Sequence, residues 1–315
     1  MELLSIVVPC YNEEAALEKF YAAVTEAAAG LSGVRVEYIF VDDGSKDGTL
    51  KRIKELAARD SAVRWLSFSR NFGKEAALYA GLEHAQGDLV AVMDADLQDP
   101  PALLPELLSA VREEGYDCAA VRRVNRKGEP PIRSWFARRF YRLINRLSQT
   151  EVVDGARDFR LMTRPVVDSI LRLTEYNRFS KGIFSWVGFQ TKWVETENIP
   201  RSAGESKWSF FKLLVYALEG IIAFSTAPLA AASVLGLVLC VLAFLGIVAV
   251  VIRELIWHGS AYGWPSLVCI VLFVTGIQLF FMGVLGQYLA KTYLEVKKRP
   301  IYILREQGGG GDDSQ

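Results

Sequence analysis

Histidine is almost missing from this chain: of 315 residues only His84 and His258 are imidazoles, and each stands alone. That disfavours a Ser/His/Asp triad and a histidine-bound zinc site. Cysteine is scarce too. Cys10, Cys118, Cys240 and Cys269 have no metal-ligand spacing, and the last two fall in long apolar stretches, so all four read as reduced packing residues of a chain whose catalytic part is cytosolic. Neither sign of charge is in excess: Lys+Arg and Asp+Glu both number 36, leaving no electrostatic case for a nucleic-acid partner. No basic stretch leading into a long apolar core stands at the start, so no signal peptide is expected. The first apolar run is followed by Pro9-Cys10-Tyr11-Asn12 instead of Gly-x-Gly-x-x-Gly, which argues against a Rossmann oxidoreductase.

Apolar residues are plentiful, at 51% with a mean hydropathy of +0.19, and the excess is concentrated after Pro228. In the first 125 residues short apolar runs (3–8, 36–41, 64–68, 89–93 and 118–121) alternate with helical patterns (13–29, 48–59, 74–85 and 101–114). This alternation predicts an α/β fold with a doubly wound, mostly parallel sheet, whose ligands bind beyond the carboxyl ends of the strands. Polar clusters stand at those ends: Tyr11-Asn12-Glu13, Asp42-Asp43-Gly44-Ser45, and the run from Asp94 to Asp99. The glycine-rich tail from Gly308 to Gln315 is expected to be disordered.

Between Arg122 and Arg146 nine Arg/Lys residues face the single Glu129. Ile132, Phe136, Phe140, Leu143 and Leu147 recur at helical spacing opposite the arginines, giving either a surface helix with a solvated face or an amphipathic helix on anionic lipid. A second interfacial helix is expected over 207–222, where Trp208, Phe210, Phe211 and Tyr216 mix with two lysines. Residues 228–252 and 265–290 are then uncharged, 25 and 26 residues long. Each is long enough, as a helix, to cross the roughly 30 Å hydrocarbon layer with some tilt. Lys207 and Lys212 before the first span, and Lys291, Lys297, Lys298 and Arg299 after the second, put both termini and the catalytic domain in the cytosol at the inner (plasma) membrane. The expected organisation is a catalytic domain at 1–200, a juxtamembrane helix at 201–226, a two-helix transmembrane domain at 227–291 and a cytosolic tail at 292–315.

Asp94 and Asp96 flank a small alanine and Gln98 follows two positions on, so in an extended or turning segment all three can face one ion. Oxygen-only ligands suit Mg²⁺ or Mn²⁺, which would bridge the chain to diphosphate oxygens and offset the charge growing on a departing nucleotide.

Three strings, Val7-Val8-Pro9-Cys10-Tyr11-Asn12-Glu13-Glu14, Val41-Asp42-Asp43-Gly44-Ser45-Lys46-Asp47-Gly48-Thr49 and Asp94-Ala95-Asp96-Leu97-Gln98, together resemble the nucleotide-sugar signature of glycosyltransferase family 2. Within that family, Arg70-Asn71-Phe72-Gly73-Lys74, Asp158-Phe159-Arg160-Leu161-Met162 and Gly204-Glu205-Ser206-Lys207 are similar to the polyprenyl-phosphate branch, most of all its bactoprenol glucosyltransferases. The resemblance covers about residues 3–300. It implies a GT-A fold and inverting transfer of a hexose from a nucleotide-sugar to a polyprenyl phosphate such as undecaprenyl phosphate. Glucose from UDP-glucose is the first choice; UDP-GlcNAc, UDP-galactose and GDP-mannose stay open. Assembly of copies through the membrane helices is also implied.

By motif position, the resemblance assigns Pro9, Tyr11 and Glu13 to base and ribose, and Val41 and Asp43 to the base pocket. It assigns Asp94, Ala95, Asp96 and Gln98 to metal and diphosphate, and Arg123 to the diphosphate. Asp42 and Ser45 serve either the nucleotide or the turn that shapes the loop. Lys74 contacts the sugar-nucleotide or caps a helix. Arg201 and Lys207 engage phosphate where the domain meets the membrane, with Arg178 and Lys181 on the acceptor side. Asp158 joins Asp96 as a catalytic candidate, as base, as a group orienting the sugar, or as half of a structural ion pair. A phosphate nucleophile is already largely ionised at pH 7, so little is asked of a base. The chain departs from many relatives in carrying Gly155-Ala156-Arg157 where a glycine usually precedes the Asp-Phe pair. A processive polysaccharide synthase is disfavoured because no Gln-x-x-Arg-Trp string occurs, and a non-catalytic nucleotide-sugar binder because both metal aspartates are present.

Overall fold

The computed structural model describes residues 1–124, 153–197, 227–257 and 263–310. Among them lie strands β1 (Glu2–Cys10), β2 (Val34–Asp42), β3 (Val63–Phe68), β4 (Leu89–Val92), β5 (Cys118–Arg123), β6 (Ala156–Thr163), β7 (Thr191–Thr196) and β8 (Leu304–Gly309). The helices are α1 (Leu17–Ala29), α2 (Thr49–Arg59), α3 (Lys74–His84), α4 (Leu104–Arg112), α5 (Arg164–Leu171), α6 (Ser180–Trp186), α7 (Ala227–Trp257) and α8 (Trp264–Val296). One sheet takes all the strands in the order β7-β5-β6-β4-β1-β2-β3-β8. Only β6 and β8 run against the rest, so the sheet is mostly parallel.

Alternation along the strands feeds two cores. Ile6 and Val8 pack on one face with Leu17, Phe20 and Val24 of α1, Ile53 and Leu56 of α2, and Leu104 and Leu107 of α4. Val7, Ile39 and Val41 pack on the other with α3, with Val166, Val167 and Ile170 of α5, and with Ile183 and Phe184 of α6. Strands covered on both faces are mostly apolar, which is why β1 and β2 read as apolar runs; the polar residues inside them, Ser5 and Glu37, are buried with the Ser5 hydroxyl donating to Glu37 Oε1. This doubly wound, mostly parallel sheet is the GT-A-type arrangement that the resemblance implied.

Three elements of the catalytic part differ from expectation. The first helix starts at Leu17 instead of residue 13, because residues 12–14 are drawn into contacts with the loop after β2. The tail does not become disordered at Gly308: Gly308 and Gly309 end β8, which pairs antiparallel with β3 and closes an edge that would otherwise stay open. Third, β6 turns back between β4 and β5, and its antiparallel direction brings its first residues to the rim that carries the parallel strands' carboxyl ends.

Helices α7 and α8 contain 31 and 33 residues, about 46 and 50 Å long at the helical rise. Each holds a window apolar enough to cross a membrane, and none of either window is buried against protein. Leu237 is 67% exposed and Phe280 66%, which is the reverse of a soluble core helix. Helix α8 runs on to Val296, past the end expected for the second span. The basic segment 125–152 and the juxtamembrane stretch 198–226, with Arg201 and Lys207, lie outside the described residues.

Candidate active site

A cavity of about 400 Å³ opens at the carboxyl ends of β1, β2 and β4. Its walls begin with two interlocked loops. Asn12 N–H donates to Ser45 Oγ at 3.0 Å and Lys46 N–H to Asn12 Oδ1 at 2.9 Å. Glu13 N–H donates to Thr49 Oγ1 at 2.8 Å and Gly48 N–H to Glu14 Oε2 at 3.0 Å. A third loop, 70–73, crosses close to Gly44, whose φ is 66° and where a Cβ would stand 2.5 Å from the Arg70 carbonyl carbon. Only glycine fits there. The clasp leaves Tyr11 42% exposed and brings Pro9, Tyr11 and Glu13 to the cavity wall.

Asp43 reaches the same wall but its oxygens are engaged, accepting from Phe72 N–H at 2.6 Å and Gly73 N–H at 2.9 Å. Burial pushes its carboxyl up from the ordinary value, against those two bonds. Asp42 is fully turned inward: it accepts from Ser45 N–H at 3.1 Å and Ser67 Oγ–H at 2.9 Å, so of its two readings the loop-shaping one fits the structure.

The opposite wall is acidic. β4 ends at Val92, paired with Arg160 of β6; two residues further along the same register, Asp94 and Asp158 come together. The Lys74 ammonium bridges them, 2.7 Å from Asp94 Oδ1 and in direct contact with Asp158 Oδ2. Burial works to lower the Lys74 pKa, but Asp94 and Asp158 outweigh it and hold the group well above lysine's usual range. The two acids respond differently to one shared cation. For Asp158 burial is outweighed by Lys74, then Lys181, with Arg160 behind, and its carboxyl is held down to about 2. For Asp94 burial prevails despite Lys74, with Asp158 and Asp96 adding repulsion, and its pKa rises. Asp99 is likewise pushed up to about 6, by burial first, against Arg157, and then by Asp94, Asp96 and Asp158.

Asp94, Ala95 and Asp96 line the cavity with Lys74. Asp96 Oδ1 accepts from Gln98 N–H at 3.1 Å, closing a turn in which Leu97 takes a φ of 55°. The Gln98 side chain is turned away from its expected ligand role, its Oε1 accepting from Arg157 at 3.2 Å while Arg157 Nε lies 3.1 Å from Asp99. Arg157 is the residue at which this chain departs from the family pattern. Val41 does not join the cavity wall either; its side chain is wholly buried in the core under α3, because the alternation of β2 points it away from the rim loops. Arg123 ends β5 on the same rim, its N–H bonded to Gly155 O at 2.9 Å, but it does not line the cavity. Arg178 is held by Leu173 O and stacks 4.6 Å over the Tyr79 ring, away from the cavity, whereas Lys181 acts electrostatically on Asp158.

Sequence reasoning missed several contributors. Asn71 and Ala77 line the cavity, and Glu75 accepts from Ser180 N–H at 2.9 Å and from its hydroxyl, tying α3 to the start of α6. Asn71 stood in the Arg70–Lys74 string, and Arg157 was marked only as a departure from the family pattern, but nothing in the sequence marks Glu75. Among the described residues no three His, Cys, Asp or Glu side chains form a ready metal cage. Asp94 and Asp96, two carboxylates on one wall of the cavity in acid-rich surroundings, fit a hard divalent ion that would take its remaining ligands from water and diphosphate.

A glycosyl transferase family 2 profile matches residues 5–171. A putative glycosyltransferase, CsbB, from Bacillus subtilis is 42% identical over 304 residues, 96% of this chain and 92% of its own length. The SfII prophage-derived bactoprenol glucosyl transferase of Shigella flexneri is 44% identical over 307 residues, covering 98% and 99%. A prophage bactoprenol glucosyl transferase homolog of Escherichia coli K12 is 43% identical over 302 residues, covering 96% and 98%.

Proposed function

The chain belongs to glycosyl transferase family 2, and from that premise we propose that it transfers glucose from UDP-glucose to undecaprenyl or a related polyprenyl phosphate, with inversion. The product, a polyprenyl-phosphate sugar, serves cell-envelope glycosylation. The observation that carries this reading is the meeting of Asp94, Asp96 and Lys74 in one cavity with Tyr11 and Glu13, with Asp158 paired to Lys74 at its edge. Relatives named as bactoprenol glucosyl transferases, matched along nearly their whole length, support the acceptor and the sugar.

Tyr11 offers an open ring face for the base, and Glu13 can accept from ribose hydroxyls. Asp43 reads the base through whatever lone pairs the 70–73 loop leaves it. Asp94 and Asp96 would hold Mg²⁺ or Mn²⁺, which when bound supplies charge compensation for the leaving diphosphate. Arg123, at the β5 end of the rim, adds to that compensation. Asp158, ionised at any physiological pH, orients the sugar by accepting hydrogen bonds from its hydroxyls. The phosphate oxygen is itself the nucleophile and needs no strong base. Lys181, beside Asp158, and Arg201 and Lys207, ahead of the first apolar helix, receive the lipid phosphate. In this reading α7 and α8 cross the plasma membrane with the catalytic domain in the cytosol, so donor and acceptor arrive from different phases.

Membranes carrying the chain, given Mg²⁺ or Mn²⁺, undecaprenyl phosphate and labelled UDP-glucose, should yield a labelled lipid that partitions into organic solvent. Asp96→Ala, still folded, should lose at least about a hundredfold in rate. Preference for labelled UDP-GlcNAc, UDP-galactose or GDP-mannose would correct the sugar. No labelled lipid from any donor would end the proposal, and full Asp96→Ala activity in EDTA would remove the metal from it.

A further inference from the structure

Lys74 stands where a cation is least expected. It is the first residue of α3, at the positive end of the helix dipole, and an ammonium has no lone pair with which to cap the free N–H groups there. The capping role left open by the sequence is therefore excluded by chemistry. What holds the side chain is the pair of carboxylates: its Nζ is 2.7 and 2.8 Å from the two oxygens of Asp94 and touches Asp158 Oδ2. Both Asp94 oxygens thus face the ammonium, and these are the atoms that would ligate a divalent ion. A metal ion and an ammonium at that distance repel each other strongly.

We propose that Lys74 is a built-in counter-ion that occupies the Asp94 carboxylate until metal and nucleotide arrive, and then withdraws from Asp94 while keeping its hold on Asp158. The consequence is coupling. The chain without donor binds the ion weakly, because entry must break an ion pair. A donor diphosphate, bringing its own negative charge, stabilises both the ion on Asp94 and Asp96 and the displaced ammonium. Lys74 in this account positions Asp158 and sets the order of loading; it adds to the metal reading above and rests on it.

The test measures Mn²⁺ binding, not turnover, in the full-length chain in detergent, by the loss of the free-ion EPR signal with and without UDP. In the wild type, UDP should tighten Mn²⁺ binding. Lys74→Met should tighten Mn²⁺ binding without UDP by about fivefold or more, because the competing charge is gone, and should shrink the gain from UDP. Lys74→Arg, which keeps the charge, should stay within about twofold of wild type. Lys74→Gln repeats the comparison if methionine disturbs α3, with a thermal melt checking each variant. Unchanged or weaker Mn²⁺ binding in folded Lys74→Met and Lys74→Gln overturns the counter-ion while leaving the metal site standing. A wild type that binds no Mn²⁺ even with UDP overturns both.

Discussion

At the residue scale, Asp158 is held as a carboxylate by surrounding cations. Its folded pKa of about 2 lies below the ordinary value of 3.8, so its charge stabilises the native state above that ordinary value and loses this effect as pH falls towards 2. The difference in stability between wild type and Asp158→Asn should therefore be flat from about pH 5 to 8, at roughly 2 kcal/mol, and should close below about pH 4. Thermal melts followed by tryptophan fluorescence at several pH values would measure it; a gap that widens in acid would contradict the assignment. The same variant should lose at least about tenfold in kcat. The acid limb of the wild-type rate profile should follow the acceptor phosphate, near about pH 6, instead of Asp158.

Among elements, the junction of α3 and α6 carries a consequence that individual side chains do not reveal. Glu75 lies in the first turn of α3 beside the cavity, and its carboxylate closes the start of α6 by accepting from Ser180. Lys181, next along α6, is the second cation acting on Asp158. Glu75→Ala leaves the Ser180 N–H without its acceptor and should cost about 1–2 kcal/mol. It should also raise the KM for polyprenyl phosphate severalfold while leaving that for UDP-glucose near wild type, with Glu75→Gln restoring both. Equal rises in both constants would mean that the contact only stabilises the fold. Such links explain what was legible in advance. The strands β1 to β5 and the rim clusters could be read because buried parallel strands are apolar runs and their polar residues follow immediately. β6 was hidden because Arg157, Asp158 and Arg160 interrupt its apolar pattern; Arg160 is buried with its guanidinium 3.5 Å over the Phe184 ring and donating to Arg157 O at 3.1 Å. With β6 unseen, the approach of Asp158 to Asp94 was unseen too, since it depends on antiparallel register. Strand β8 resembled a tail because it is polar and half exposed.

For the whole molecule, β8 joins the catalytic sheet to the apolar helices. Helix α8 ends at Val296, and within a few residues Tyr302 stacks on Phe68 at 5.0 Å and donates to Glu83 at 2.5 Å. The chain then enters the sheet, where Lys54 pairs with Glu306 at 2.6 Å. On the other side of the same junction Glu295 of α8 accepts from Tyr176 N–H at 3.0 Å and Asn177 N–H at 3.3 Å. The end of α8 is thus gripped from two directions, and a helix set in a bilayer would hold the cavity at a fixed height above it. Height matters only for an acceptor that cannot leave the membrane. Tyr302→Ala, which removes the stack and the hydrogen bond, should therefore slow transfer to undecaprenyl phosphate in vesicles by about tenfold or more. Transfer to a short-chain polyprenyl phosphate dissolved in water should fall by less than about threefold, because that acceptor reaches the cavity from solution. Side-by-side initial rates with the two acceptors, at one donor concentration, decide the matter: an equal loss on both would mean that Tyr302 supports the fold of the catalytic domain and not its placement over the lipid.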